Sequence, residues 1–332
     1  MKSSLLMLLA SCLALAASLS RSYADQRDDM DDMDDMDDRD ETAQEVPVGH
    51  HTNPQALGFL PSNGAVTANT AILHHGGAVM ATPTVYVIWY GNWNQNNGTD
   101  NAAGKNIVTD FLTSVGGSPY YNLNTSLSIA ATKITGMLTY GGATVDTGSQ
   151  GTSLTDAKIK TVVTSALSAK KLPTDANGIY LVLTSSDVNA TSGFCTRYCG
   201  WHTHATISAK DIKYSFVGNA ARCITGCAAQ SIGPNGNAGV DGMISVIAHE
   251  IEEATTDPDL NAWYDSAGAE NADKCAWTFG QNQYQTPNGA WANMHLGSRD
   301  YLIQRNLYKS ATGDYCATGV VFNANGTATL SQ

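Results

Sequence analysis

Residues 242–257, GMISVIAHEIEEATTD, constrain the fold more than any other part of this chain. The segment is strongly helical in composition, and Pro258 stops it. Ile244, Val246 and Ile247 make its first half apolar, and His249 follows directly. Any fold must therefore lead an apolar helix straight into an imidazole and carboxylates. Helical spacing puts Val246, His249 and Glu253 on one face, with Asp257 further down it. Outside an acidic tract near the N-terminus the chain has only four glutamates, Glu250, Glu252, Glu253 and Glu270. They fall within 21 residues of one another. At this composition a His-Glu-x-x-Glu string arises by chance with an expectation of about 0.003, so the string is a signal.

An imidazole and a carboxylate at i, i+4 can grip one divalent cation, as in His-Glu-x-x-His helices with Glu in place of the second His. The expected ligands are His249, Glu253 and, from downstream, Glu270. Glu250, one residue around the helix, is placed as a general base on a water. Asp273 is expected to orient a ligand from outside, and Asp257 competes as a ligand. Zinc suits a hydrolytic centre of this kind. Calcium is the alternative, because Glu253, Asp257, Glu270 and Asp273 are hard oxygen donors. The plain structural reading is a helix with a solvated acidic face and a stacked histidine. A two-carboxylate glycosidase pair rests on residue type alone. No Gly-x-Ser-x-Gly elbow and no phosphate-cradling glycine loop is present.

The N-terminus gives the address. Lys2 precedes an apolar stretch from Leu5 to Leu19 that ends in Ser22-Tyr23-Ala24, the pattern of a secretory signal peptide over residues 1–24. Leu9-Ala10-Ser11-Cys12 resembles a lipidation box, but the apolar run continues past it. That stretch is too short for a membrane anchor, and no apolar run beyond the N-terminus reaches transmembrane length. Residues 25–45 carry ten Asp, two Glu and two Arg, a low-complexity acidic tract unable to bury apolar area. That tract supplies most of the net charge of −12, which argues against nucleic-acid binding. Residues 46–80 read as a linker, with His50-His51 and His74-His75 left unassigned.

Once Cys12 leaves with the signal, six cysteines remain: Cys195, Cys199, Cys223, Cys227, Cys275 and Cys316. An even count in an exported chain implies three disulfides. The expected pairing is local, Cys195–Cys199 and Cys223–Cys227, with a long Cys275–Cys316 bridge. The rival is a metal cluster of Cys195, Cys199, His202 and His204, which an oxidising compartment disfavours.

The folded domain is expected over 81–332. Residues 84–91 and 178–188 read as buried strands, and 106–115 and 155–171 as helices. Residues 134–146 read as a strand or hairpin around Gly141-Gly142, and 203–218 as a strand pair. Little regular pattern follows the third helix. This order predicts a single α/β (mixed α+β) domain, a central mixed sheet with packed helices, stabilised by disulfides. Trp89, Tyr90, Trp93, Trp201, Trp263, Tyr264, Trp277 and Trp291 either fill this core or line a sugar or peptide cleft. No oligomeric state is implied.

Several strings resemble the EXORDIUM-like, or phosphate-induced, family of secreted proteins. They are VYVIWYGNW (85–93), the run from Phe194-Cys195 to Cys199-Gly200-Trp201-His202, VGNAARCITGC (217–227), GPNGNAGVDGMISVIAHEIEEATTDP (233–258) and Cys275. The resemblance covers most of 70–320. It implies export to the cell wall, apoplast or medium, and in plants a link to growth and nutrient responses without an assigned activity. One departure matters: the plant pattern ends in Thr-Asn-Pro and lacks the His-Glu pair. This chain is more similar to microbial relatives with a His-Glu-x-x-Glu helix followed by Glu-x-x-Asp-x-Cys, here Glu270, Asp273 and Cys275. The helix also resembles that of zincin metallopeptidases, whose fold sets it under a mixed sheet. Two readings follow: a metal-dependent hydrolase acting on an extracellular polymer or peptide, or a noncatalytic wall or matrix protein that binds carbohydrate.

Overall fold

Two apolar runs form the centre of the structure. The computed structural model describes residues 71–331, so the signal peptide, the acidic tract and most of the linker lie outside the described residues. In chain order the principal elements are β1 (Thr84–Tyr90), α1 (Ala102–Val115), β2 (Thr139–Asp146), α2 (Asp156–Ser168), β3 (Gly178–Thr184), β4 (Gly200–Ile207), β5 (Lys210–Val217) and α3 (Ala238–Thr256). The strands form one sheet in the order β2-β1-β3-β5-β4. The first four are mutually parallel, and β4 pairs antiparallel with β5 at the edge. Nearly every residue of β1 and β3 is buried, as expected where helices cover both faces of a parallel sheet.

The helices follow from their apolar spacing. In α1, Ile107, Val108, Phe111, Leu112 and Val115 form the buried stripe, and the Asn101 side chain caps the N-terminus by accepting from Gly104 N–H. That cap starts the helix at Ala102, four residues before the expected start at 106. In α2 the stripe is Ile159, Val162, Val163, Ala166 and Leu167, capped by Thr155. Lys170 (φ 55°) then takes the left-handed position that ends many helices.

Residues 134–146 give one strand, β2, rather than a hairpin. Gly141 is the extra residue of a bulge between the pairs Val85–Tyr140 and Tyr86–Gly142. The β4–β5 hairpin turns at Ser208 and Ala209, both with positive φ (53° and 59°), which suits the twist of a two-residue turn. The folded part also begins ahead of residue 81. Ile72, Val79 and Met80 are buried, and Leu73–His74 pairs with Trp263–Tyr264. After α3 the irregular stretch resolves into short two-stranded ladders, the longest being Asn306–Ser310 against Gly313–Ala317.

The three disulfides correct the expected pairing. Cys195 bonds Cys223 and Cys199 bonds Cys227, while Cys275–Cys316 is as expected. Cys223 and Cys227 lie four residues apart on one helical turn, so both sulfurs face the same way, towards the 195–199 loop. With all six sulfurs bonded, the cluster of Cys195, Cys199, His202 and His204 does not form.

Candidate metal centre

Every residue of α3 from Gly239 to Thr256 is buried, including His249, Glu250, Glu252 and Glu253. The Asn237 side chain caps the helix by accepting from Val240 N–H. Glycine lets its body approach its neighbours: a Cβ on Gly242 would lie 2.9 Å from the Cβ atoms of Ala220 and Ala228. Gly200, the first residue of β4, does the same for the sheet. A Cβ there would come within 2.6 Å of Val246 Cγ1 and 2.8 Å of Glu250 Oε1. The acidic half of α3 is therefore pressed against the edge strand that carries His202.

The segment after α3 returns to it through a series of local turns. The Asp257 carboxylate accepts from the backbone N–H of Asn261 and Ala262, each at 2.6 Å. Asp265 accepts from Ala267 and Ala269 N–H and forms an ion pair with Lys274. Asn271 accepts from Thr256 Oγ1 at 2.8 Å. These contacts bring Glu270 and Asp273 back over Glu253. Asp273 N–H donates to Glu253 Oε1 at 3.0 Å, and Asp273 Oδ2 accepts from Glu270 N–H at 3.2 Å.

Two donor groups result, and they share Glu253. In the first, His249 Nε2 lies 2.9 Å from Glu253 Oε1 and 3.5 Å from Asp273 Oδ1. Neither oxygen is aligned to accept a hydrogen bond from it. In the second, His202 Nε2 is hydrogen-bonded to Glu270 Oε2 at 3.0 Å and lies 3.9 Å from Glu253 Oε2. Beside them Glu250 is 1 % exposed, and neither of its carboxylate oxygens has a hydrogen-bond partner.

Burial and charge set the protonation. Burial pulls His202 down to about 4, against the charge of Glu253, so its imidazole is neutral. Burial also acts on His249, but the carboxylates of Glu253, Asp273 and Glu250 outweigh it and hold that imidazole well above its ordinary range. Burial, with the charges of Glu253 and Asp273, pushes Glu250 well up. Burial and Asp273 likewise raise Glu253 against His249.

The structure thus brings together His249, Glu253, Asp273 and Glu270, with Glu250 adjacent. Asp273 Oδ1 lies in the first of these groups, beside His249 and Glu253. Asp257 joins neither group, because its carboxylate is committed to backbone amides. His202 is a donor that the helix pattern alone does not include; the signal for it is its position beside His204 in an alternating strand. His204 belongs to a separate cluster with Asp211 and Asp259, where Lys213 Nζ lies 2.7 Å from Asp211 and 3.1 Å from Asp259. That ammonium already stands where a cation would. Of the aromatic residues considered for a cleft, Trp89, Tyr90, Trp93, Trp201 and Trp263 are buried and offer no exposed platform.

Comparison with known proteins agrees with the resemblance in the sequence. The family model described as "Phosphate-induced protein 1 conserved region" matches residues 72–301. Protein EXORDIUM-like 3 of Arabidopsis thaliana is 33 % identical over 271 residues, covering 70 % of this chain and 78 % of the relative. Protein EXORDIUM-like 5 of the same plant is 32 % identical over 273 residues, 70 % of this chain and 73 % of the relative. Protein PHOSPHATE-INDUCED 1 of Nicotiana tabacum is 30 % identical over 294 residues, 75 % and 88 % of the two chains. No solved structure matches the chain. With a family model spanning most of the described domain and relatives aligned over more than two thirds of both chains, this protein belongs to the EXORDIUM-like, phosphate-induced protein family.

Proposed function

We propose that the protein is exported and uses its α3 centre as a divalent-cation-dependent hydrolase on an extracellular peptide or polymer. Three disulfides and the family support export. The observation that carries the hydrolytic reading is Glu250, a buried carboxylate with no hydrogen-bond partner beside converging His, Glu and Asp donors. A purely structural cation site has no need of it, and an unpaired buried polar group is costly.

Nitrogen and oxygen donors in this mix suit zinc. A bound divalent cation supplies Lewis-acid polarisation and lowers the pKa of water. Glu250 takes the proton from the attacking water and passes it to the leaving group. Gly200 keeps the strand backbone close to that carboxylate, and His202, His249, Glu253, Glu270 and Asp273 hold the cation. The sheet with α3 packed against its antiparallel edge is in keeping with the zincin-like placement that the helix motif implies.

In the purified full chain loaded with zinc, Glu250→Gln is expected to retain cation and fold but lose about 10²-fold or more of hydrolytic rate. The assay is turnover of peptide and polysaccharide panels with and without chelator. The near-complete burial of the donors favours a second reading, in which the cation only ties segments together. Under that reading chelation lowers stability and no substrate in either panel turns over.

A further inference from the structure

Building on the reading that this centre takes a divalent cation, we infer that it takes two, with Glu253 as the carboxylate bridge between them. The two oxygens of Glu253 face different histidines: Oε1 lies 2.9 Å from His249 Nε2, and Oε2 lies 3.9 Å from His202 Nε2. Asp273 completes the first group and Glu270 the second. A cation held tetrahedrally at about 2.1 Å separates its donors by about 3.4 Å. Distances from the histidine nitrogens are 2.9 and 3.5 Å in one group and 3.0 and 3.9 Å in the other, on both sides of that value.

Charge points the same way. Glu253, Glu270 and Asp273 are nearly buried carboxylates set against two imidazoles, with Glu250 buried alongside. A cation in each group gives each carboxylate a cationic neighbour, whereas one cation in a single group leaves the other group's carboxylate without a cation. The other cationic side chain nearby, Lys274, is paired with Asp265. An independent sign of a missing partner comes from two buried polar groups at the cluster. Both oxygens of Glu250 and the Nε2 of His249 have no aligned hydrogen-bond partner, at 1 % exposure for each residue. Glu250 follows His249 directly on α3 and lies near enough to His249, Glu253 and Asp273 for their charges to act on it.

The test uses the full chain, stripped with chelator and then titrated with Zn²⁺ or Mn²⁺. Bound metal is counted by elemental analysis, and the Mn²⁺ form is examined by electron paramagnetic resonance. Two ions per chain are expected, with a spin-coupled Mn²⁺ spectrum. His202→Asn and His249→Asn should each retain one uncoupled ion. Glu253→Gln should weaken both sites by about 10-fold or more and abolish the coupling, circular dichroism confirming the fold. If a variant does not fold, stoichiometry and coupling in the unsubstituted chain decide alone. One isolated ion per chain overturns the bridge and leaves the single-cation reading standing. Two uncoupled ions also overturn the bridge. No bound ion overturns both.

Discussion

Glu252 and Glu253 are neighbours on α3 with opposite roles. Glu253 faces the two histidines. Glu252 points to the other side, where Asn306 donates to it and burial holds its carboxyl well above the ordinary range. Asp241, nearer the start of the helix, shows what such burial does to stability. Burial raises it to about 6, against hydrogen bonds from Asn235 and Asn237 and the charge of Arg299. The folded state keeps this proton to higher pH than the unfolded chain, so the residue's contribution is full below about 4 and lost as pH rises through 6. Denaturant unfolding at pH 4 and pH 7 should show this. Relative to Asp241→Asn, the unsubstituted chain should lose on the order of 3 kcal/mol between the two pH values, and a flat difference would contradict the assignment.

At the scale of elements, the contact between β4 and α3 is the one that builds the centre, and it depends on Gly200. A methyl group there meets Val246, Glu250 and the Phe216 carbonyl at 2.6, 2.8 and 3.0 Å. Gly200→Ala should cost about 1–3 kcal/mol and weaken cation binding by moving His202 relative to α3, as thermal unfolding and metal titration would show. The sequence made α3, its His-Glu-x-x-Glu face and the parallel strands legible, because period and composition are local signals. The strand register beginning at Gly200 was less so, and a reading that starts the strand at Thr203 leaves His202 outside it. The pairing of His202 with Glu270 spans 68 positions, and nothing in local spacing encodes it. The crossed bridges were hidden for the same reason: Cys195 and Cys199 are near each other in sequence, but both face a helical turn 28 residues on.

Over the whole molecule, the donors come from three separated segments, and a bridge lies close to two of them. Cys199 stands three residues before His202, and Cys275 two residues after Asp273. Loop-closure entropy assigns each bridge roughly 3.5–4 kcal/mol for loops of this length. Replacing Cys275 and Cys316 together by Ser should remove stability of that order, seen in the denaturation midpoint. It should also loosen the Glu270–Asp273 arm, seen as weaker zinc binding in the same preparation.

The covalent connections also bear on how the donor arms are held. Closing Cys199–Cys227 and Cys275–Cys316 tethers the segments that carry His202 and Asp273, whereas in the reduced chain only noncovalent contacts hold them. On the reading proposed above, the oxidised chain is expected to take up a divalent cation more tightly than the reduced one, and metal titration before and after reduction measures the difference.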